Sequence, residues 1–172
     1  MNFTELAKSR YSVRKFDSRP IEQEKMEQIL EAGNVAPTGC NYQPQRIYVV
    51  QSEEGIAKLN ALSRCIFGAK MVLLFAYDTA EEWKNPLESG VHSGVQDVSI
   101  VATHIMLQAW ELGIGTCWVN YFAKTKLERE MGLPENEKAV LLMPIGYPAE
   151  DAAPLEKMHS VCKVLDETVR YI

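Results

Sequence analysis

The sequence predicts an α+β fold in which a mixed β-sheet is flanked by helices. Residues 71–77 and 139–147 are continuous apolar runs, which is typical of strands buried on both faces. Residues 46–51 have the composition of a further strand. Residues 21–35 and 92–112 repeat apolar side chains at helical spacing. The longer stretch, 92–112, is apolar around most of the helix circumference, so we expect it in the middle of the fold or at a subunit interface.

The helices have local start and stop signals. Asn2 and Glu5 form the capping-box pattern at the beginning of a short N-terminal helix. Pro20 is suited to the first turn of the helix over residues 21–35, and Pro37 ends that helix. Two more helices are expected over residues 53–62 and 124–131.

The C-terminal part of the chain differs in composition from the rest. Residues 113–120 are predicted to turn at their glycines into a strand. Residues 148–172 are rich in Ala, Pro and charge, and we expect them to form an arm over another surface, ending in the strand-like residues 168–172. Since the chain shows neither an internal repeat nor a linker, we expect a single domain over residues 1–172.

Composition excludes several classes of function. The chain is 47% hydrophobic and 24% charged, which is ordinary for a globular protein, and its net charge of -5 argues against general nucleic-acid binding. It has no apolar run of about 18 residues, as a membrane span would need, and it does not begin like a secretory signal, so we expect a cytoplasmic protein. The cysteines and histidines lack ligand spacing, so no metal site is expected.

Positive charge is concentrated near the N-terminus. Within residues 8–19 there are five basic side chains and one acid. Arg10 and Arg14 lie four positions apart with the Ser12 hydroxyl between them. Because guanidinium groups offer a rigid fork of donors, this basic segment (residues 9–15) is suited to bind an anion such as a phosphate. A solvated basic turn is the alternative interpretation.

Two further features complete a possible ligand site. The polar loop (residues 36–45) has two prolines, a glycine, and amides at Asn41 and Gln43 that could pair with a heteroaromatic ring. The turn after Gly113 offers backbone N–H groups, although Trp118 occupies the position of the third glycine of a dinucleotide fingerprint. Each feature also has an ordinary structural role, so their convergence on one flat, phosphorylated ligand is a hypothesis.

Four motifs occur in a characteristic order. They are R-x-S-x-R-x-F from Arg10, A-P-T-G-x-N-x-Q-P from Ala36, L-G-I-G-T-C-W from Leu112 and P-I-G-Y-P from Pro144. Together with a Pro-Ile pair at Pro20 that opens a helix, they resemble the nitroreductase family of FMN-dependent oxidoreductases over nearly the whole chain.

The resemblance implies an intertwined homodimer with two FMN sites at the subunit interface. The phosphate, ribityl chain and ring edge would be contacted by Arg10, Ser12 and Arg14. The partner subunit would supply Pro37, Thr38, Gly39 and Asn41. Along the isoalloxazine, with backbone contacts near its reactive N5, would lie Cys117 and Trp118. The C-terminal arm (residues 148–172) would then lie over the partner subunit.

The chain departs from the family pattern near its C-terminus. The family usually places an arginine there that completes the phosphate site, and Cys162 occupies that position here. Lys163 is the candidate substitute, although an ammonium group binds phosphate less directionally. The chain is also short for the family, so we expect no extra lid helices over the flavin.

The resemblance further implies that NADH or NADPH reduces FMN at N5 and that an electron-poor small molecule, such as a nitroaromatic or a quinone, then takes the electrons. No side chain is nominated as a catalytic acid or base, because the flavin carries the reaction. Alternatives are an FMN-dependent enone reductase, a reductive dehalogenase, a flavin-binding protein without turnover, and a structural dimer without flavin.

Overall fold

The computed structural model describes residues 2–172, which contain seven helices besides the sheet. They are α1 (Phe3–Ser9), α2 (Gln23–Asn34), α3 (Glu53–Leu62), α4 (Gly94–Glu111), α5 (Lys124–Met131), α6 (Glu156–His159) and α7 (Leu165–Thr168). The capping box is confirmed, because the Asn2 side chain accepts the Glu5 N–H and the Glu5 carboxylate accepts the Asn2 N–H, both at 3.0 Å. The placement of Pro20 in the first turn of α2 is wrong, since Glu22 is the N-cap of that helix.

The sheet consists of β1 (Gln45–Val50), β2 (Met71–Asp78), β3 (Gly115–Thr116) and β4 (Glu137–Gly146), in the order β1-β2-β4-β3. The α+β class is confirmed, but the prediction of a mixed sheet is wrong, because all three pairs of neighbouring strands are antiparallel. A parallel contact occurs as an isolated bridge between Ser12 and Thr116.

The antiparallel arrangement follows from where the connections return. A helix between two strands suggests a parallel crossover, and α3 lies between β1 and β2. However, Val50 at the end of β1 pairs with Val72 at the start of β2. The chain therefore returns from α3 to the end of the sheet at which it left, which the sequence pattern does not reveal.

Both faces of the sheet are covered, as the continuous apolar run of β2 predicts. Leu73 and Phe75 pack toward the core formed with α2 and α4. Val72, Leu74 and Ala76 pack toward the core formed with α3 and α5. Because side chains alternate along a strand, two buried faces require an uninterrupted hydrophobic sequence.

The C-terminal arm contacts the body through its first half, residues 148–159. The Tyr11 hydroxyl donates to the Ala152 carbonyl at 3.3 Å, and Lys15 pairs with Asp151. Residues 160–172 are all exposed. The predicted strand over residues 168–172 is wrong for this chain, because Thr168 ends α7 and no regular structure follows it. Within residues 2–172, none of the helices combines the length and the apolar character that a membrane span requires.

Candidate functional site

The basic segment leaves α1 in an extended conformation and lies beside β3. The Val13 N–H donates to the Thr116 carbonyl at 2.9 Å, and Ser12 forms its bridge with the same residue. Further along, the Asp17 N–H donates to the Tyr147 carbonyl at 2.8 Å. These backbone bonds fix the segment that carries Arg10, Ser12 and Arg14 to the sheet.

Two glycines allow the segment to lie this close. A Cβ atom on Gly115 would stand 2.9 Å from the Cβ of Val13, and one on Gly146 would stand 3.2 Å from Phe16 Cδ1. Val13 is fully buried in this contact. The glycine turn predicted as a separate feature is therefore part of the same site as the basic segment.

The two arginines of the segment have no acidic partner in the described part of the chain. Among residues 2–172, neither Arg10 nor Arg14 forms a salt bridge. Arg14 donates instead to the Ser12 carbonyl at 3.0 Å and to the Met158 sulfur at 3.5 Å. Partial burial lowers the pKa of Arg10. A partly desolvated guanidinium group without a carboxylate is a favourable place for an external anion.

Cys117 lies directly against this segment. It is 3% exposed, and burial raises the pKa of its thiol, although Arg14 and a hydrogen bond with Ser12 act in the opposite direction. The half-buried Trp118 packs against the core on the α2 and α4 side. The structure thus brings Cys117 and the basic segment together, and the thiol is kept in its protonated form.

The polar loop has a well-defined conformation. Residues Gly39–Asn41 form a 3₁₀ turn, and the Thr38 hydroxyl accepts the Gln43 N–H at 3.1 Å. The φ angles of Cys40, Asn41 and Gln43 are 50°, 57° and 52°. The left-handed region is uncommon for residues other than glycine, so the surroundings must hold this loop in place.

The polar loop and the basic segment lie at opposite ends of α4. Asp97, in the first turn, accepts the Gly39 N–H at 2.8 Å. Trp110, in the last turn, donates its ring N–H to the Ser9 hydroxyl at 2.9 Å. These helix residues are thirteen positions apart, which corresponds to about 20 Å along the axis.

The sheet gives a second measure of the same separation. At one end, Asp78 donates its N–H to the Pro44 carbonyl and pairs across the sheet with Glu137. At the other end, Thr116 beside the basic segment pairs with Ile145. Eight residues of β4 separate the two positions, or about 26 Å. One chain therefore does not bring Pro37, Thr38, Gly39 and Asn41 to the arginines.

Lys163 lies in the exposed part of the C-terminal arm, four residues beyond α6. Helix α6 itself is close to the basic segment, because the His159 ring stands edge-on to Tyr11 with centroids 6.2 Å apart.

Sequence reasoning missed two residues of this region. Met158 contacts Arg14 from the arm, and nothing in its sequence context signals that contact. Asp97 holds the polar loop, and its signal was available: it is an acidic residue at helical spacing from the apolar Val101 and Ile105.

The sheet order β1-β2-β4-β3 and the two arginines beside β3, which form no salt bridge among residues 2–172, define an α+β protein with a candidate anion-binding site. Residues 7–67 and 60–147 match the profile of the nitroreductase family, so the chain belongs to that family.

The chain is similar over its length to a solved nitroreductase family protein of Clostridium difficile 630, with 39% identity and a TM-score of 0.90, covering 99% of this chain and 98% of that one. An FMN-dependent nitroreductase of C. difficile R20291 is 25% identical with a TM-score of 0.77, and each chain is covered to 98%. The FMN reductase [NAD(P)H] of Bacillus subtilis is 27% identical over 159 residues, which are 83% of this chain and 64% of the relative.

Proposed function

We propose that this protein is a homodimeric FMN-dependent oxidoreductase that takes electrons from NAD(P)H and passes them to a small electron-poor acceptor, such as a nitroaromatic or a quinone. Membership of the nitroreductase family supports the enzyme class, the cofactor and the electron donor. The observation that carries the proposal is the pair of unpaired arginines, Arg10 and Arg14, fixed beside β3 next to Cys117.

The basic segment fits the phosphate end of FMN. A phosphate dianion would supply a counter-charge at the Arg10 end of the segment, with Arg14 toward the ring edge, and charge-assisted hydrogen bonds to guanidinium groups are among the stronger ones in proteins. Ser12 adds a hydroxyl on the same extended segment. Lys163 would add a further positive charge if the arm folds over the site.

The residues after β3 fit the ring. Cys117 and Trp118 would lie along the isoalloxazine, and because the Cys117 N–H already donates to the Pro144 carbonyl at 3.1 Å, the backbone contact near N5 would come from Trp118. When bound, FMN supplies the redox chemistry by accepting a hydride from NAD(P)H at N5. The protein's part is to orient the ring and to place the positive charge of Arg14 where added electron density is stabilised.

The separation of the polar loop from the arginines supports a site shared between two copies. With about 20 Å between them along α4, the loop residues Pro37, Thr38, Gly39 and Asn41 are better placed to serve the site of a partner subunit. Shared sites at a symmetric interface require each copy to contribute both parts, one to each site.

The outer face of α4 is suited to be that interface. Val95 and Ile100 are 49% and 38% exposed. The hydroxyls of Ser99 and Thr103 donate to backbone carbonyls four residues earlier, at 2.7 Å and 2.8 Å. Because these hydroxyls already form hydrogen bonds within the helix, burying the face would add little desolvation free energy.

The C-terminal arm supports the same conclusion. Its apolar side chains at Val161, Val164 and Leu165 are 72%, 64% and 75% exposed. A run of exposed apolar residues in an extended arm is expected to pack against another surface.

The absorbance spectrum of protein purified in the presence of FMN tests the proposal. We expect bound flavin with a band at about 450 nm, which NADH or NADPH should bleach under anaerobic conditions and a nitroaromatic or quinone should restore. Protein that takes up no FMN would overturn the cofactor assignment. Bound flavin that neither nucleotide bleaches would instead indicate a flavin-binding protein without turnover.

Arg14→Ala tests the site itself. Loss of charge-assisted hydrogen bonds should raise the FMN dissociation constant about tenfold or more. The matched control is Arg129→Ala, which removes an exposed arginine of α5 paired with Glu130 and should leave FMN binding unchanged. Equal affinities for FMN in the wild type and Arg14→Ala would refute the role of Arg14.

A further inference from the structure

Asp97 is a nearly buried carboxylate whose two oxygens are both in use. It is 3% exposed. Oδ1 accepts the Gly39 N–H at 2.8 Å, and Oδ2 accepts the Ser93 hydroxyl at 2.6 Å. Among residues 2–172 it forms no ion pair with Lys, Arg or His. A buried carboxylate without a cation is costly, so these hydrogen bonds and the N-terminal end of α4 must stabilise it.

What Asp97 holds is the start of a strained turn. Gly39 opens the 3₁₀ turn, and Cys40 and Asn41 follow it with φ angles of 50° and 57°. The backbone at Gly39 is also tightly enclosed, because a Cβ atom there would stand 3.0 Å from the Cβ of Trp83 and 3.1 Å from the Ser93 hydroxyl. The loop is therefore locked to the beginning of α4, and the hydrogen bond from Gly39 to Asp97 is its direct polar link.

We propose that Asp97 is a positioning residue for FMN binding. By fixing the Gly39 N–H, it holds residues 37–41 in the conformation that faces the flavin in the partner subunit's site. Asp97 itself touches neither cofactor nor substrate. The inference rests on the proposed function, because it is in the shared site that this loop meets FMN.

Asp97→Asn is the test variant, because it keeps the size of the side chain but replaces an acceptor oxygen with an NH₂ group. The neutral amide oxygen accepts the Gly39 N–H more weakly than a carboxylate oxygen does, and the NH₂ group cannot accept from the Ser93 hydroxyl. We expect the FMN dissociation constant, measured by quenching of flavin fluorescence, to rise about tenfold. Turnover at saturating FMN should remain close to wild type, since the loop alters occupancy and not the chemistry. Hydrogen exchange at the Gly39 amide should become faster by a similar factor.

The chain offers a matched control on another helix. Glu128 of α5 accepts the Ala139 N–H through Oε1 at 2.8 Å, so it is also a helix carboxylate that holds the backbone of a different segment. Glu128→Gln should lower the melting temperature and leave the FMN dissociation constant within about twofold of wild type. Ser93→Ala is the milder variant if Asp97→Asn fails to fold, and it should raise the dissociation constant about threefold.

The outcomes separate this inference from the proposed function. A wild-type protein that takes up no FMN overturns both. If the wild type binds FMN, unchanged affinity in Asp97→Asn, or in Ser93→Ala where that variant replaces it, overturns the role of Asp97 alone. Equal losses of affinity in Asp97→Asn and Glu128→Gln would also overturn it, because they would reflect general destabilisation.

Discussion

Two variants that each damage one half of the flavin site should restore FMN binding when their subunits are mixed. Arg14→Ala removes a guanidinium group from the basic segment. Gly39→Val introduces a Cβ atom 3.0 Å from the Cβ of Trp83, so the polar loop must shift. Because the polar loop is bonded to one end of α4 and the basic segment to the other end, about 20 Å away along the helix axis, a shared site takes Arg14 from one subunit and Gly39 from the other.

The expected recovery follows from counting sites. In a heterodimer of the two variants, one site carries both changes and the other carries neither. Random exchange between equal amounts of two variants makes half of the dimers heterodimers, so about a quarter of all sites should regain wild-type affinity. Each variant alone should bind FMN about tenfold or more weakly than the wild type.

The assay is FMN bound per chain at a concentration just above the wild-type dissociation constant, after subunit exchange between differently tagged variants. Native mass spectrometry verifies that heterodimers have formed. The control mixes Arg10→Ala with Arg14→Ala, which lie in the same segment and should show no recovery, because neither heterodimer site is intact. Heterodimers of Arg14→Ala and Gly39→Val that bind no more FMN than the parent variants would refute the shared site.

Three further predictions concern the surroundings of the site and the sheet. Gly115→Ala places a methyl group 2.9 Å from the Cβ of Val13. Urea denaturation should therefore show a free energy of unfolding lower by about 1–3 kcal/mol, and FMN titration should show a weaker affinity. Wild-type stability together with wild-type affinity would contradict the close packing. Burial and a hydrogen bond to Glu137 at 2.5 Å raise the pKa of Tyr48 from 10.0 to about 12. The unfolded chain therefore loses that proton first, so stability should fall as the pH rises from 10 to 12, and Tyr48→Phe should have a flatter profile in urea melts over that range. Cys117 is buried and its thiol has a raised pKa, so iodoacetamide should alkylate it more slowly than the exposed Cys40 and Cys162. Peptide mass spectrometry measures the three rates, and equal rates would argue against the burial of Cys117.

Local signals in the sequence were sufficient for most elements of secondary structure. The capping pair Asn2 and Glu5 sets the start of α1, and Pro37 follows closely after α2. The uninterrupted apolar run of β2 correctly indicates a strand with both faces covered. In each case the physical cause lies within a few neighbouring residues, so the pattern can be recognised without knowledge of the fold.

The features that sequence reasoning missed depend on residues far apart in the chain. The antiparallel sheet is decided by where β1 and β2 meet, at Val50 and Val72, and the intervening helix gives no sign of it. The contact between Gly39 and Asp97 joins positions 58 residues apart. The strand composition of residues 168–172 reflects a preference that a free arm cannot satisfy, because a strand needs a partner.

The position of β1 at the edge of the sheet has a consequence for how the protein behaves in solution. Its six residues contain one charged side chain, Arg46, and that guanidinium group is already engaged by Asp78 and Glu81 at 3.2 Å and 2.8 Å. Val49 on the same strand is 38% exposed. Natural proteins usually protect such an edge with lysine, proline or a covering segment, and β1 has neither residue. We therefore expect the open backbone of β1 to be the place where copies of the chain associate edge to edge when the protein is concentrated or destabilised.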